Sequence, residues 1–194
     1  MTSLLRTGVT ALRALVVFTI VLGIAFPLAI WGVGQVAFNA SANGSLIRSD
    51  GKVIASSLIG QQSSGPQWFH SRPSAAGKGY DAESSSGTNL GPNNPALTAL
   101  IEKRKAAIAA EEGVAAGAVP PDAVTASGSG LDPNISSAYA YLQVARVARE
   151  NGLDPAVVRA LVTSHVSGGV ISPALVNVVE LNLALAHITG RTMG

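Results

Sequence analysis

At 194 residues, 47% of them hydrophobic, the chain is long enough for one or two domains with a core of ordinary size. It contains no cysteine, which excludes disulfides, thiolate metal sites and cysteine nucleophiles. Its formal charge of +2 comes from Arg6 and Arg13; residues 39–194 are electrically neutral and carry no long basic run, which argues against nucleic-acid binding.

From Ala14 to Phe38 the sequence reads ALVVFTIVLGIAFPLAIWGVGQVAF, without a charge. A helix rising ~1.5 Å per residue crosses a hydrocarbon core of ~30 Å over this length. Residues 14–38 are therefore predicted as a transmembrane helix behind a short tail, 1–13. Pro27 is compatible with such a helix because neighbouring groups satisfy the carbonyl it frees. Ala40-Ser41-Ala42 offers an A-x-A pattern for a cleaved signal peptide, but the apolar run exceeds the ~7–15 residues of a signal h-region. An uncleaved anchor is expected, followed by a domain over 39–194. Arg6 and Arg13 before the span and Arg48 and Lys52 after it leave a weak bias toward an inside amino terminus.

The remainder predicts an α+β domain of helices and short strands. Leu46 to Ile59, LIRSDGKVIASSLI, places two strands around an Asp50-Gly51 turn. Ser49-x-x-Lys52 resembles a serine hydrolase signature, but that signature opens a helix, whereas this one straddles a turn. Trp68 to Ala75, WFHSRPSA, gathers two aromatics, a histidine and an arginine in a chain that is only 5% aromatic and 12% charged. Residues 71–94 then form a long Gly/Ser/Pro/Asn-rich loop. Asn94-Pro95 begins a helix ending near Gly113, with Glu102-Lys103-Arg104-Lys105 as its solvated side. Residues 114–133 are read as irregular, and Gly128-Ser129-Gly130 as turn chemistry, because the chain has neither G-x-x-x-x-G-K nor G-x-G-x-x-G.

Three helices are predicted after this. The first runs from Ser136 to Glu150 and stops at Asn151-Gly152. The second is capped by Asp154 ahead of Pro155 and carries His165 as a satisfied core histidine. The third spans Ser172 to Gly190, with Asn177, Glu180, Ala184 and His187 on a narrow polar stripe. Asn182 lies among aliphatics and needs partners, so it is expected to tie this helix to a loop backbone.

The three histidines, at 70, 165 and 187, lack metal-ligand spacing, and neither HExxH nor GxSxG occurs. No nucleophile has an evident base. A membrane-anchored hydrolase using His70 or His187 in a spatially assembled site is the remaining enzymatic alternative.

The ordered motifs Ala42-Asn43-Gly44-Ser45-Leu46-Ile47, Leu58-Ile59-Gly60-Gln61, FHSRPSA from Phe69, Ser86-Gly87-Thr88-Asn89-Leu90, Asn94-Pro95, VTASGSGLDPNIS from Val124 and VNVVELNLALA from Val176 carry a resemblance. Over nearly its whole length the chain resembles the KdpC family, the small accessory subunits of the potassium-transporting Kdp ATPase, a P-type ATPase complex. The resemblance implies a noncatalytic, single-span subunit of a bacterial plasma-membrane complex that imports potassium at the expense of ATP. It implies two partners, a potassium-conducting subunit and a P-type ATPase subunit that bears the phosphorylated aspartate. ATP and potassium are handled by the complex, and no cofactor is expected on this chain. It further implies a part in assembly and, as a catalytic chaperone, in raising the ATP affinity of the pumping subunit.

The resemblance favours an inside amino terminus and an outside domain, which would put the domain out of reach of cytoplasmic ATP. Should direct nucleotide contact exist, Gln143, at helical spacing from Arg146 and Glu150, is the exposed polar group expected to make it. Otherwise the effect on affinity is a coupling free energy across the complex. Trp68, Phe69, His70, Arg72, Asn89, Asn177, Glu180 and Asn182 are the residues expected either to dock on a partner or to brace the domain.

Overall fold

The computed structural model describes residues 2–49 and 51–192, in two compact units, Met1–Leu46 and Ile47–Gly194. In the first, α1 (Thr2–Ile20) and α2 (Phe26–Ala37) are joined by a π-turn, Val21–Ala25. Pro27 explains the π-turn. Proline has no N–H for the carbonyl of Gly23 and its ring presses on that carbonyl, so the turn ahead of it widens and Phe26 N–H pairs with Val21 O. Ser3–Ala37 forms one apolar helix, long enough to cross a membrane, with mean hydropathy 2.5 in its most apolar window and none of that window buried. Residues 2–13, expected as a tail, are helical and continuous with the span. A short α3 (Asn39–Ala42) follows, and Asn39 and Asn43 each donate a side-chain amide to Gln35 Oε1, at 3.2 and 3.0 Å.

The second unit begins with a two-stranded sheet, β1 (Leu46–Ser49) and β2 (Lys52–Ser56). Asp50 of the expected turn lies outside the described residues, and Gly51 has φ +77°, which suits a glycine in a tight turn. α4 (Pro95–Glu112) has the predicted ends: the Asn94 side chain accepts from Ala96 N–H, Pro95 opens the helix, and Gly113 closes it with φ +68°. Its charged run is not wholly solvated, because the half-buried Arg104 donates to Val124 O at 3.0 Å. The stretch 114–133, read as irregular, contains a 3-10 turn (Ala116–Ala118) and a short α5 (Pro121–Val124).

The expected helix over 136–150 is interrupted at Gln143, giving α6 (Ser137–Leu142) and α7 (Val144–Asn151), and ends at Gly152 as predicted. α8 (Pro155–Ser164) is capped by Asp154, whose carboxylate accepts from Ala156 N–H at 2.7 Å. His165 is half-buried at the end of α8 rather than in the core, with Nδ1 2.8 Å from Leu161 O. The expected helix from Ser172 begins six residues late, as α9 (Val178–Thr189). The displaced residues form a strand instead. β5 (Leu175–Asn177) lies between β3 (Asn134–Ser136) and β4 (Val166–Ser167), antiparallel to both, with Ile135 and Val166 opposite Val176.

β3 and β5 each run straight into a helix, and the last residue of each strand is the cap. Ser136 Oγ accepts from Tyr139 N–H, and Asn177 Oδ1 accepts from Val179 and Glu180 N–H. The Asp122 carboxylate accepts from both the N–H and the Oγ of Ser136, at 2.7 and 2.8 Å. These capped junctions aim α6 and α9 over a core of Phe69, Ile135, Val147, Val158, Val162, Val176, Leu181 and Leu185, all at most 1% exposed.

Asn177→Ala removes the α9 cap and the bond from Asn177 Nδ2 to Ser57 O, so it should destabilise the full-length chain by about 1–2 kcal/mol. Urea unfolding in detergent, followed by circular dichroism, should show a larger loss than Asn94→Ala at the more exposed start of α4.

Candidate functional site

The segment Pro66 to His70 has no strand beside it, yet Trp68 and Phe69 are buried, at 7% and 0% exposure. A buried peptide group without a partner costs about 1–3 kcal/mol, so its N–H and C=O groups need acceptors and donors from elsewhere. Side chains supply them. Asn182, fully buried on α9, accepts from Phe69 N–H and donates to Phe69 O, both at 2.9 Å, and also donates to Ser63 Oγ. Gln143 does the same one residue on, accepting from His70 N–H at 2.6 Å and donating to His70 O at 3.1 Å. Asn151 donates to Gln67 O, and Arg146 Nη1 donates to Trp68 O and to Pro66 O. Each carbonyl from Pro66 to His70 is thereby matched by a side-chain donor.

Arg146 is the hub of this arrangement. At 1% exposure, its Nε donates to Glu112 Oε1 at 2.9 Å and its Nη2 to Gln143 Oε1 at 2.8 Å. A buried guanidinium is tolerated only when paired and fully hydrogen-bonded. Burial pushes the Glu112 carboxyl above the ordinary range, with the Arg146 charge and hydrogen bond opposing it. Glu112 Oε2 and Asn151 Oδ1 are buried with no hydrogen-bond partner among the described residues.

His70 faces outward from the same segment. Its Nε2 lies 3.1 Å from Gly65 O, a contact that requires the proton on Nε2, and Nδ1 is 3.5 Å from Glu111 Oε1. Burial, followed by the nearby Arg146 charge, lowers its pKa, while the Gly65 bond and Glu111 act in the opposite sense. Beyond it, Arg72 Nη1 pairs with Asp132 Oδ2 at 3.2 Å, Arg72 Nε donates to Thr125 O, and Tyr80 Oη donates to Arg72 O at 2.8 Å. Ser74 Oγ donates to Gly130 O at 2.6 Å and accepts from Tyr80 N–H at 2.8 Å. The first part of the 71–94 loop is thus pinned to the 125–132 stretch.

Of the residues expected to dock or brace, Trp68, Phe69, His70, Arg72, Asn177 and Asn182 enter this bracing network or its capped junctions. Glu180 is exposed in the first turn of α9, and Asn89 is exposed with φ +54°, a conformation asparagine tolerates. Gln143 corrects the expectation of exposure. It is 0% exposed, and both ends of its amide are engaged by His70. Its spacing held the signal, since Gln143 lies four residues from both Tyr139 and Val147 and so falls on the apolar face of its helix. Arg146, Glu112 and Asn151 are bracing residues whose role the sequence does not announce: Arg146 is placed there only by its helical spacing from Gln143. Arg146 sits between Val144 and Val147, an unusual place for a charge in a sequence with so few. His187 is exposed on α9, and no three metal-ligating side chains come together among the described residues.

Comparison with known proteins matches residues 8–187 to the family described as KdpC: K+-transporting ATPase, c chain. The chain is 49% identical over 188 residues to the potassium-transporting ATPase KdpC subunit of Kineococcus radiotolerans, covering 95% of each. It is 52% identical over 180 residues to that of Caulobacter vibrioides, covering 90% of each. With that of Mycobacterium tuberculosis the identity is 49% over 187 residues, covering 94% of this chain and 99% of the relative.

Arg146→Met leaves the Glu112 carboxylate and the carbonyls of Pro66 and Trp68 without this donor, so it should cost about 3–5 kcal/mol. Adding Glu112→Leu removes the stranded charge and should recover part of that loss in chemical denaturation. A double variant no more stable than Arg146→Met would show that the two side chains do not act as a charge pair.

Proposed function

The chain belongs to the KdpC family, and on that premise we propose that it is the noncatalytic subunit of an ATP-driven potassium import complex in a bacterial plasma membrane. The apolar helix anchors it, and its partners are a potassium-conducting subunit and a P-type ATPase subunit. The observation that carries this reading is the extent of the match, which takes in both the membrane-length helix and the domain.

The domain's own chemistry supports a noncatalytic role. Gln143, Arg146 and Asn182, the polar side chains best placed by burial for chemistry, are consumed in holding residues 66–70. His70 Nε2 donates to a backbone carbonyl and so is not placed to accept a proton from a nucleophilic hydroxyl. The role is accordingly one of assembly. An effect on the ATP affinity of the pumping subunit reaches it as a coupling free energy between subunits, because Gln143 has neither exposure nor a free amide group to offer a nucleotide. The span contributes to the partner contact: Gly8, Gly32 and Gly34 offer small surfaces of the kind that membrane helices use for close packing.

Tagged chain solubilised gently from native membranes should bring down two large partners, one ion-conducting and one with an ATPase phosphorylation site. Recovery of the chain without either would sink the subunit assignment. Replacing residues 14–38 by a leucine-rich anchor should lower that recovery.

Orientation is open to a separate measurement, since the chain has no native cysteine. With the amino terminus inside and the domain outside, an impermeant maleimide should label Ser64→Cys in intact cells stripped of any outer barrier. It should reach Thr7→Cys only after lysis. The reverse pattern would place the domain on the ATP side.

A further inference from the structure

Between the 70–80 segment and α4 lies a hollow of about 370 Å³, open to solvent on one side. Its charge is one-sided. Arg72, Lys78 and Arg104 line it against a single carboxylate, Glu111, in a domain that is neutral as a whole. Asp132 answers Arg72 through Nη1 alone. Among the described residues no carboxylate lies within ion-pair distance of Lys78 or Arg104. Arg104 is half-buried and its Nη1 donates to the carbonyl of Val124, which brings no charge to balance it. Burial lowers its pKa, as expected for a cation partly withdrawn from water without a counter-ion.

The wall opposite α4 is built in advance. Gly77, Gly79 and Tyr80 have φ of +51°, +113° and +54°. A tyrosine in the left-handed region is uncommon and costs of order 1–3 kcal/mol, and such strain gathers at ligand clamps. Three hydrogen bonds hold it: Tyr80 N–H and Ala76 N–H to Ser74 Oγ, and Tyr80 Oη to Arg72 O. The wall therefore does not depend on a ligand for its shape, so little ordering entropy remains to be lost on binding. A potassium ion would meet net positive charge here.

We propose that this hollow binds a small divalent oxyanion of the phosphate type, free in solution, held by Lys78 and Arg104 with the remaining guanidinium hydrogens of Arg72. Charge-assisted hydrogen bonds from two or three cations suit a tetrahedral dianion. Glu111 at the rim opposes it, which sets affinity and makes the site testable by a change of opposite sign. The site adjoins the bracing network through His70 and Arg72, while the hub of that network, Arg146, lies outside the hollow.

The test is calorimetric titration of sodium phosphate into the full-length chain in an uncharged detergent, with ionic strength fixed by sodium chloride. Saturable binding of one phosphate per chain is expected. Lys78→Gln and Arg104→Gln should each weaken it about tenfold or more, and Glu111→Gln should tighten it. Because Arg104→Gln also loses the bond to Val124 O, the exposed Lys78 is the cleaner variant, and an unchanged unfolding midpoint confirms its fold. Absence of saturable heat, or equal affinity in wild type, Lys78→Gln and Glu111→Gln, would overturn the proposal. So would a site that ignores phosphate and responds only to a short-chain anionic phospholipid.

Discussion

The domain turns on a backbone segment whose carbonyls are paired by side chains rather than by a neighbouring strand. Residues 66–70 carry Trp68 and Phe69 into the core from outside the named sheets, so their carbonyls depend on amide and guanidinium side chains reaching in from α7, α9 and the α6–α7 junction. Asparagine and glutamine suit the task because each carries one donor and one acceptor side by side and copies the edge of a peptide group. Asn182 and Gln143 stand in for two residues of a missing strand. Trp68 and Phe69 can then enter the core without leaving polar atoms unpaired, and helices contributed from distant parts of the chain are tied to the same short stretch.

Arg146 extends this logic at greater risk. A guanidinium taken out of water carries a desolvation cost of several kcal/mol, which here is offset by four acceptors, one of them the Glu112 carboxylate. It could be replaced by apolar packing only if the carbonyls of Pro66 and Trp68 found other donors. The charge is therefore a condition of the segment's geometry more than a source of net stability, and it joins α4 to α7.

Helix ends are the most legible feature of the sequence, because caps are local. Asn94-Pro95, Asp154-Pro155, Gly113 and Gly152 act where the sequence places them. The tie from Asn182 to a loop is also readable, since an amide among aliphatics must find a partner. β3 and β5 are not, because three-residue strands show no alternation. β5 merges into the helical pattern of α9, and only the cap of Asn177 separates the two. Gln143 misleads for a related reason: a polar residue on an apolar face looks like a solvent-facing one until its partner is known, and His70 lies 73 residues away. The hollow beside Arg104 is hidden in a run of charges that looks uniformly solvated.

The separation of these partners also orders events in time. The bonds that seat Phe69 span 113 residues, and those that seat His70 span 73. Loop closure over such lengths is slow relative to helix formation, and during synthesis the bonds that seat Phe69 cannot form before Asn182 exists. The apolar helix near the amino terminus is by then long complete. Trp68 and Phe69 consequently remain without their final cover through most of translation, on a chain whose upstream helix is ready for the membrane, and the domain closes only when α9 arrives.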